Sequence, residues 1–259
     1  MTLSARAAAL FVSDLHLQAS HPATATAFLR FLAEQAVAAQ QLYLLGDLFE
    51  YWAVDDDIAD PFHHTIVAAL RAVADAGVAI FWIAGNRDFL VGPAFAEAAG
   101  LTLLREPHVL EINGLRIVLL HGDAECTADT GYMAFRAMVR ESAWQTQFLA
   151  LPLAQRKAII AGMRQDSRTQ QSGKSYEIMD VAHDAVEQVF SSTGATVMIH
   201  GHTHRPAVHR SGTHVRYVLP DWELDEPDAA PGATPRGGWI AVDTDGHIQR
   251  YDVHARLLD

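Results

Sequence analysis

Short apolar runs that end in polar clusters recur along the chain and restrict its fold more than any other feature. Continuous apolar runs of this length are typical of strands buried on both faces of a sheet. Five such runs precede a polar cluster, at residues 8–12, 42–45, 79–84, 117–120 and 196–199. Three further strands are predicted later in the chain, at residues 215–219, 239–242 and 248–251. The core of the protein is therefore expected to be built on sheets.

Helical periodicity fills the gaps between the first three runs. Apolar residues recur at helical spacing in residues 23–39 and 62–76, and Pro61 and Gly77 mark the start and end of the second segment. This alternation of strand and helix predicts an α/β sandwich. Residues 129–190 lack strand patterns, and part of them is interpreted as a helical insertion. Helices are predicted there around residues 132–149, 153–163 and 176–190.

The charge distribution excludes one class of partner. With 19 Lys and Arg against 31 Asp and Glu, the net charge is −12, which argues against nucleic-acid binding because phosphates require basic side chains. Residues 131–174 are an exception, with seven basic and two acidic side chains. The single cysteine, Cys126, cannot form an internal disulfide, and a reducing cytosolic compartment is the expectation. No apolar run approaches the roughly 18 residues of a membrane span, so a soluble or peripheral protein is expected.

Polar clusters follow directly after the first five predicted strands. They read DLH at residues 14–16, GD at 46–47, GNRD at 85–88, HGD at 121–123 and GHTH at 201–204. Ligands of open α/β sheets bind at the carboxyl ends of the strands. Carboxylate, imidazole and carboxamide groups together suit Mn, Fe or Zn better than Ca or Mg, and seven candidate ligands suit two ions. Taken alone, each cluster could equally be a helix cap, a turn or a hydrogen-bonded polar residue.

The five motifs DLHL, GDLFEYW, GNRDFL, HGD and GHTHRP together resemble the calcineurin-like metallophosphoesterases. The resemblance implies two packed sheets flanked by helices and a two-metal site. It assigns Asp14, His16 and His204 to the first ion and Asp47 to a bridge between the ions. The second ion is assigned the remaining three ligands, which are Asn86, His121 and His202.

The charge of such a site indicates its substrate. Two divalent ions and the carboxylates of Asp14 and Asp47 leave a net charge of about +2, which matches a diphosphate or a phosphodiester. The ions would activate a water and bind phosphoryl oxygens. Arg87 is the candidate catalytic side chain because its guanidinium can offset charge on the phosphoryl group. The alternative for Arg87 is a surface ion pair with Asp88.

Over nearly its whole length the chain also resembles the UDP-2,3-diacylglucosamine diphosphatases of bacterial lipid A biosynthesis. The motifs that carry this resemblance are GDLFEYW, GNRDFL, HGDAECTADTGY and MRQDSRTQQSGK. It implies hydrolysis to UMP and diacylglucosamine 1-phosphate, a Mn²⁺ cofactor, and a peripheral location on the cytoplasmic face of the inner membrane. Its substrate contacts fall on Asn86, Arg87, Asp129, Ser167, Gln171, Lys174 and His202. Gln171 departs from the Asn usual in that family, and the loop at 221–238 is longer than usual.

The insertion, placed at about residues 124–175 of a single domain spanning residues 1–259, agrees with a lipid-linked nucleotide sugar. It combines apolar residues at helical spacing with positive charge, which favours a lid that holds acyl chains and meets an anionic membrane surface. The alternative is an ordinary helical core. Two other functions compete, a phosphodiesterase for cyclic nucleotides or dinucleoside polyphosphates and a non-catalytic scaffold. No obligate protein partner is implied.

Overall fold

Two mixed β-sheets pack face to face between layers of helices in the computed structural model. The structure describes residues 7–171, 178, 180–225 and 236–258, and it describes no side chains from 166 to 171. The first sheet has seven strands in the order β12-β11-β10-β1-β2-β3-β4. These strands are β1 (Ala9–Val12), β2 (Gln41–Leu45), β3 (Ala79–Ile83), β4 (Leu101–Leu104), β10 (Gly238–Val242), β11 (Ile248–Asp252) and β12 (Leu257–Leu258).

The second sheet has five strands in the order β5-β6-β7-β9-β8. They are β5 (His108–Ile112), β6 (Leu115–Leu119), β7 (Val197–His200), β8 (Ala207–Ser211) and β9 (His214–Val218). Strands β1 to β4 run parallel to one another, and β6, β7 and β9 do the same in the second sheet. The strands that precede the predicted ligands therefore end in a common direction within each sheet.

The side chains of β1 show why its sequence is apolar throughout. Ala9 and Phe11 point into the core between the sheets, where they meet residues of the second sheet such as Ile199. Leu10 and Val12 point to the other face and pack in the core shared with the helices. All four strand residues are buried, so the prediction of a strand with two buried faces is confirmed.

Helices cover the outer faces of both sheets. The helices α1 (Pro22–Glu34), α2 (Pro61–Asp75) and α3 (Pro93–Ala99) lie on the first sheet. In the described part of the chain, four α-helices lie between β6 and β7, namely α4 (Thr130–Arg140), α5 (Ser142–Leu149), α6 (Leu153–Gln171) and α7 (His183–Thr193). Among the described residues, no helix is both long and apolar enough to cross a membrane.

The structure confirms the predicted α/β architecture and corrects several elements. The segment 132–149 is two helices, because Glu141 adopts an extended conformation with ψ 133°. Helix α7 begins at His183, later than predicted, and its Val186 and Phe190 pack on the second sheet with Met198. The sequence reading missed β4, β5, β8, β12 and α3, which are short or, like β8, largely exposed.

Candidate metal centre

The loops that follow the strands hold five of the seven predicted ligands in a left-handed backbone conformation. The φ angle is 53° at Asp14, 48° at His16, 53° at Asp47, 67° at His202 and 54° at His204. Residues other than glycine rarely adopt this conformation, which costs of order 1–3 kcal/mol and concentrates at functional sites. These loops therefore keep an unfavourable backbone conformation, and this conformation sets the positions of the predicted ligand side chains.

Glycines beside the ligands let the loops approach one another closely. A Cβ atom on Gly85 would lie 2.1 Å from Oδ1 of Asp47, and a Cβ atom on Gly201 would lie 2.1 Å from Oδ2 of Asp14. Both separations are shorter than any non-bonded contact allows. Only glycine at these two positions leaves both carboxylates in place.

The first predicted group, Asp14, His16 and His204, is assembled in the structure. The Nε2 atoms of His16 and His204 are 3.1 Å apart, and Nε2 of His204 is 3.5 Å from Oδ1 of Asp14. Oδ2 of Asp14 accepts hydrogen bonds from the Ser13 hydroxyl and from the backbone N–H of His202. Its buried Oδ1 has no hydrogen bond partner among the described residues. An unpartnered, buried carboxylate oxygen facing two imidazoles fits a cation.

Acidic side chains lie behind both imidazoles of this group. Nδ1 of His16 is 3.4 Å from Oε2 of Glu50, and Nδ1 of His204 is 3.6 Å from Oδ2 of Asp221. A carboxylate behind an imidazole favours a proton on Nδ1 and leaves the lone pair of Nε2 for a metal. Burial lowers the pKa of His16 well below its usual value, which also favours the neutral ligand form.

The second predicted group is assembled around the side-chain oxygen of Asn86. This Oδ1 atom is 3.0 Å from Nε2 of His121 and 2.9 Å from Nδ1 of His202. Nδ1 of His121 is 2.8 Å from the carbonyl oxygen of Leu45, so a neutral His121 donates there and presents a lone pair at Nε2. Two acceptors, Nε2 and Oδ1, would then face each other, and a shared cation removes this conflict.

The pKa of His121 also indicates that this pocket stabilises positive charge. Burial alone would lower it, but the carboxylates of Asp47, Asp14 and Asp123 raise the pKa of His121 to about 9. Burial and the His121 charge act in the opposite direction on His202, whose pKa is lowered to about 3. Without ions, this negatively charged pocket therefore stabilises a proton at the position where a metal would bind.

Asp47 lies between the two groups. Its Oδ2 atom is 3.7 Å from Nε2 of His121, and ligand atoms of Asp14, Asp47 and His121 lie within 4.8 Å of one another. Both carboxylates are buried, with Asp14 at 0% and Asp47 at 2% exposure. The geometry fits a bridge between two ions, and the residues present fit a dinuclear site.

Asp88, which the sequence offered as an ion-pair partner of Arg87, has a different role. It is fully buried and accepts hydrogen bonds from the backbone N–H groups of Asp47, Leu48 and Gly85. Arg87 instead pairs with Glu50, and its Nε atom is 3.7 Å from Oδ2 of Asp47. The alternative of a surface pair between Arg87 and Asp88 is therefore wrong.

Glu50 and the insertion join this site in ways that sequence reasoning missed. Besides Arg87, Glu50 forms an ion pair with Arg164 of α6. Its position within GDLFEYW, three residues after Asp47, was the available signal. Helix α4 contacts the other side of the site, where the Tyr132 ring stacks on His202 at 6.0 Å between centroids.

The structure describes the side chains of four of the seven predicted substrate contacts. Asn86, Arg87 and His202 lie together at the site. Asp129 is largely buried and caps α4, accepting a hydrogen bond from the Tyr132 backbone N–H. The other three predicted contacts lie outside the described side chains, and they are Ser167, Gln171 and Lys174.

Comparison with known proteins defines the class. Residues 8–206 match the family of calcineurin-like phosphoesterases. The chain belongs to this metallophosphoesterase family, as the motifs predicted. It is 51% identical over 222 residues to a UDP-2,3-diacylglucosamine hydrolase of Escherichia coli O6:H1, covering 84% of this chain and 92% of the relative. A protein of the same description from Escherichia coli O1:K1 is 53% identical over 202 residues, covering 78% of this chain and 84% of the relative.

More distant similarities extend to solved structures. Vacuolar Protein Sorting 29 from Cryptosporidium parvum is 14% identical, with a TM-score of 0.48, 94% of this chain covered and 90% of that chain covered. A novel archaeal phosphodiesterase is 11% identical, with a TM-score of 0.45, 94% of this chain covered and 98% of that chain covered.

Proposed function

We propose that this protein hydrolyses the diphosphate bond of UDP-2,3-diacylglucosamine to UMP and 2,3-diacylglucosamine 1-phosphate, a step of lipid A biosynthesis. The observation that supports the proposal is the clustering of all seven predicted ligands in a chain 51% identical to a hydrolase of that name. A scaffold that had lost its metals would not need five strained ligand residues, or a buried Asp14 oxygen that lacks a hydrogen-bond partner among the described residues.

The metal site has seven protein ligands under this proposal. Asp14, His16 and His204 hold one divalent ion, Asp47 bridges, and the second ion is held by Asn86, His121 and His202. We propose Mn²⁺ for both ions because the ligands mix oxygen and nitrogen atoms. When bound, the ions supply an activated water and a clamp for phosphoryl oxygens.

Arg87 supplies the charge that the ions do not. Its guanidinium is about a third exposed and stands beside the proposed bridge, Asp47. It can donate hydrogen bonds to phosphoryl oxygens as negative charge moves to the leaving phosphate. Glu50 fixes its orientation from behind through an ion pair. We therefore propose Arg87 as a catalytic residue and Glu50 as the residue that positions it.

A lid formed by residues 124–175, inserted into a single domain, would hold the acyl chains. The apolar residues of this insertion serve two purposes. Val139 and Phe148 are buried, and Trp144 and Ile160 pack against the helix-side core. Exposed apolar side chains remain on α4, α5 and α6, and they are Phe135, Met138, Leu149 and Ile159. We propose that these side chains contact the acyl chains, because large exposed apolar groups are a feature of surfaces that bind apolar partners.

The same apolar residues support our proposal of a cytoplasmic protein that is peripheral to the inner membrane. The charge of the insertion supports an anionic membrane surface less than its sequence suggested. Arg136 pairs with Asp123 and Glu106, and Arg156 pairs with Asp56. Membrane contact would therefore rest mainly on apolar side chains, with charge as a smaller contribution.

The test compares two substrates on Mn²⁺-loaded protein in one detergent. UMP release from UDP-2,3-diacylglucosamine reports the proposed reaction, and bis(p-nitrophenyl) phosphate reports the metal site alone. Phe135→Ala and Met138→Ala should reduce kcat/KM on the lipid at least about tenfold, since burying such side chains contributes roughly 1.5–3 kcal/mol. Neither should alter the small diester. Leu103→Ala, an equally exposed apolar side chain on β4, is the matched control.

Two results would contradict the proposal at different levels. Equal losses on both substrates would make the insertion structural and remove the lid. Absence of UMP release by wild-type protein that still cleaves the small diester would favour another phosphodiesterase of the same family, such as one for cyclic nucleotides or dinucleoside polyphosphates.

A further inference from the structure

A polar cleft opens beside the first ligand group, next to His16 and His204. Its volume is about 260 Å³, and His16, Arg87 and His204 form the wall it shares with the metal centre. The cleft continues away from the ligands to Gln18 and His21 and to three residues of the long loop at 221–238. These three residues are Trp222, Glu223 and Arg236.

The cleft and the insertion lie at different parts of the site. Helix α4 attaches near the second ligand group, through Tyr132 on His202 and Arg136 on Asp123. Among the described residues, none from α4, α5 or α6 lines the cleft. The insertion contacts one residue of the cleft wall, because Arg164 of α6 forms an ion pair with Glu50. A substrate bound across both ions can therefore extend one end to the insertion and the other into the cleft.

Chemistry decides which end enters the cleft. Acyl chains need apolar surface, whereas this lining consists mainly of amide, imidazole, carboxylate and guanidinium groups. Its volume lies just below the roughly 300–1,000 Å³ of pockets for drug-sized ligands, which suits one nucleoside and is too small for two acyl chains. We propose that the cleft binds the uridine monophosphate half of the substrate and that Gln18 forms a hydrogen bond with the pyrimidine. This inference rests on the proposed function.

Gln18 is suited to this role by its free carboxamide. It is only partly buried, and its side chain has no hydrogen bond partner among the described residues. A carboxamide offers both donors and an acceptor, which match the alternating carbonyl and N–H groups of uracil. The carboxylate of Glu223 can accept hydrogen bonds from ribose hydroxyls. Arg236 is held in place by Asp221, with Nη2 2.9 Å from Oδ2.

The experiment measures product binding separately at the two ends of the site. Mn²⁺-loaded protein is titrated with UMP and with 2,3-diacylglucosamine 1-phosphate, for wild type, Gln18→Ala, Gln18→Glu and Gln40→Ala. Loss of one neutral hydrogen bond should raise the Kd of UMP about 3- to 10-fold in Gln18→Ala. Gln18→Glu should raise it further, because a carboxylate repels the phosphate. Gln40→Ala, an exposed glutamine just before β2 and outside both the cleft and the insertion, should leave both Kd values within about twofold.

The outcomes separate this inference from the proposed function. A UMP affinity that is unchanged in both Gln18 variants would overturn the inference, and so would equal weakening of UMP and of the lipid phosphate. If wild type fails to hydrolyse UDP-2,3-diacylglucosamine but binds UMP in a Gln18-dependent manner, the proposed function falls and the nucleotide site stands. Raised Kd for UMP alone, in an active enzyme, supports both.

Discussion

The substitution Asp88→Asn tests whether the buried carboxylate of Asp88 holds together the loops after β2 and β3, which carry the predicted ligands Asp47 and Asn86. Oδ1 of Asp88 accepts hydrogen bonds from the N–H groups of Gly85, at 2.9 Å, and Asp47, at 3.2 Å, and Oδ2 accepts one from Leu48 at 2.8 Å. Asparagine has nearly the same size but replaces one acceptor oxygen by an NH₂ group. In either orientation, at least one backbone N–H then faces another donor.

The cost can be estimated from these contacts. In its best orientation, asparagine keeps the two bonds at Oδ1 and loses the one from Leu48. A hydrogen bond to a charged group contributes roughly 1.5–3 kcal/mol, and the N–H left behind is buried. A loss of about 3 kcal/mol corresponds to a Tm decrease of roughly 6–12 °C for a chain of this size. The backbone of Asp47 would also lose an anchor, so metal affinity should fall.

Thermal unfolding at pH 8 in chelator is the assay, followed by Mn²⁺ titration. Burial and the charge of Asp47 raise the pKa of Asp88 to about 7, so at pH 8 the wild-type group is ionised. Asp60→Asn is the control, because Asp60 also accepts two backbone N–H groups, at the start of α2. Asparagine caps helices as well as aspartate does, so its Tm should hardly change. Equal Tm values for Asp88→Asn and wild type would refute the reasoning.

Three further predictions concern the ions and the pH. Chelator should abolish hydrolysis, and Mn²⁺ should restore it. Asp47→Ala should be the most damaging ligand change, because the Asp47 carboxylate would serve both ions. Full activity of metal-free protein would contradict this. Because the pKa of His121 is raised to about 9 without metal, protons compete with the ion, and Mn²⁺ affinity should fall up to about tenfold per unit from pH 8 to 7. A titration with equal affinities at both pH values would exclude that competition. Burial raises the pKa of Glu125 from 4.5 to about 7, so only the folded state binds the proton between these values and stability should fall as pH rises through this range. Glu125→Gln should remove this decline, at most about 3 kcal/mol in denaturant unfolding at pH 5 and 8, whereas an unchanged slope would assign it to other groups.

The position of the candidate metal centre could be predicted from sequence because the proposed ligands lie directly after strand ends. Asp14 follows β1 and Asp47 follows β2, and parallel pairing of these strands brings both to one edge without further information. The supporting contacts could not be predicted in this way. Asp88 was offered as a partner of its neighbour Arg87, but the loop directs its carboxylate inward to three N–H groups. The direction of a loop side chain depends on tertiary contacts that adjacency in sequence does not encode.

The contacts of the basic residues in the insertion could not be predicted from sequence either. The sequence gives the number of basic residues between 131 and 174 but not what they contact. In the structure Arg136 binds Asp123 beside the second ligand group, and Arg140 donates to the carbonyl oxygen of Gly85. On the other side, Arg164 binds Glu50, which in turn holds Arg87. The basic residues thus connect α4 and α6 to the loops that carry the ligands. A displacement of either helix would disturb ion pairs at the candidate metal centre, so we expect a ligand that binds to the insertion to change the orientation of Arg87.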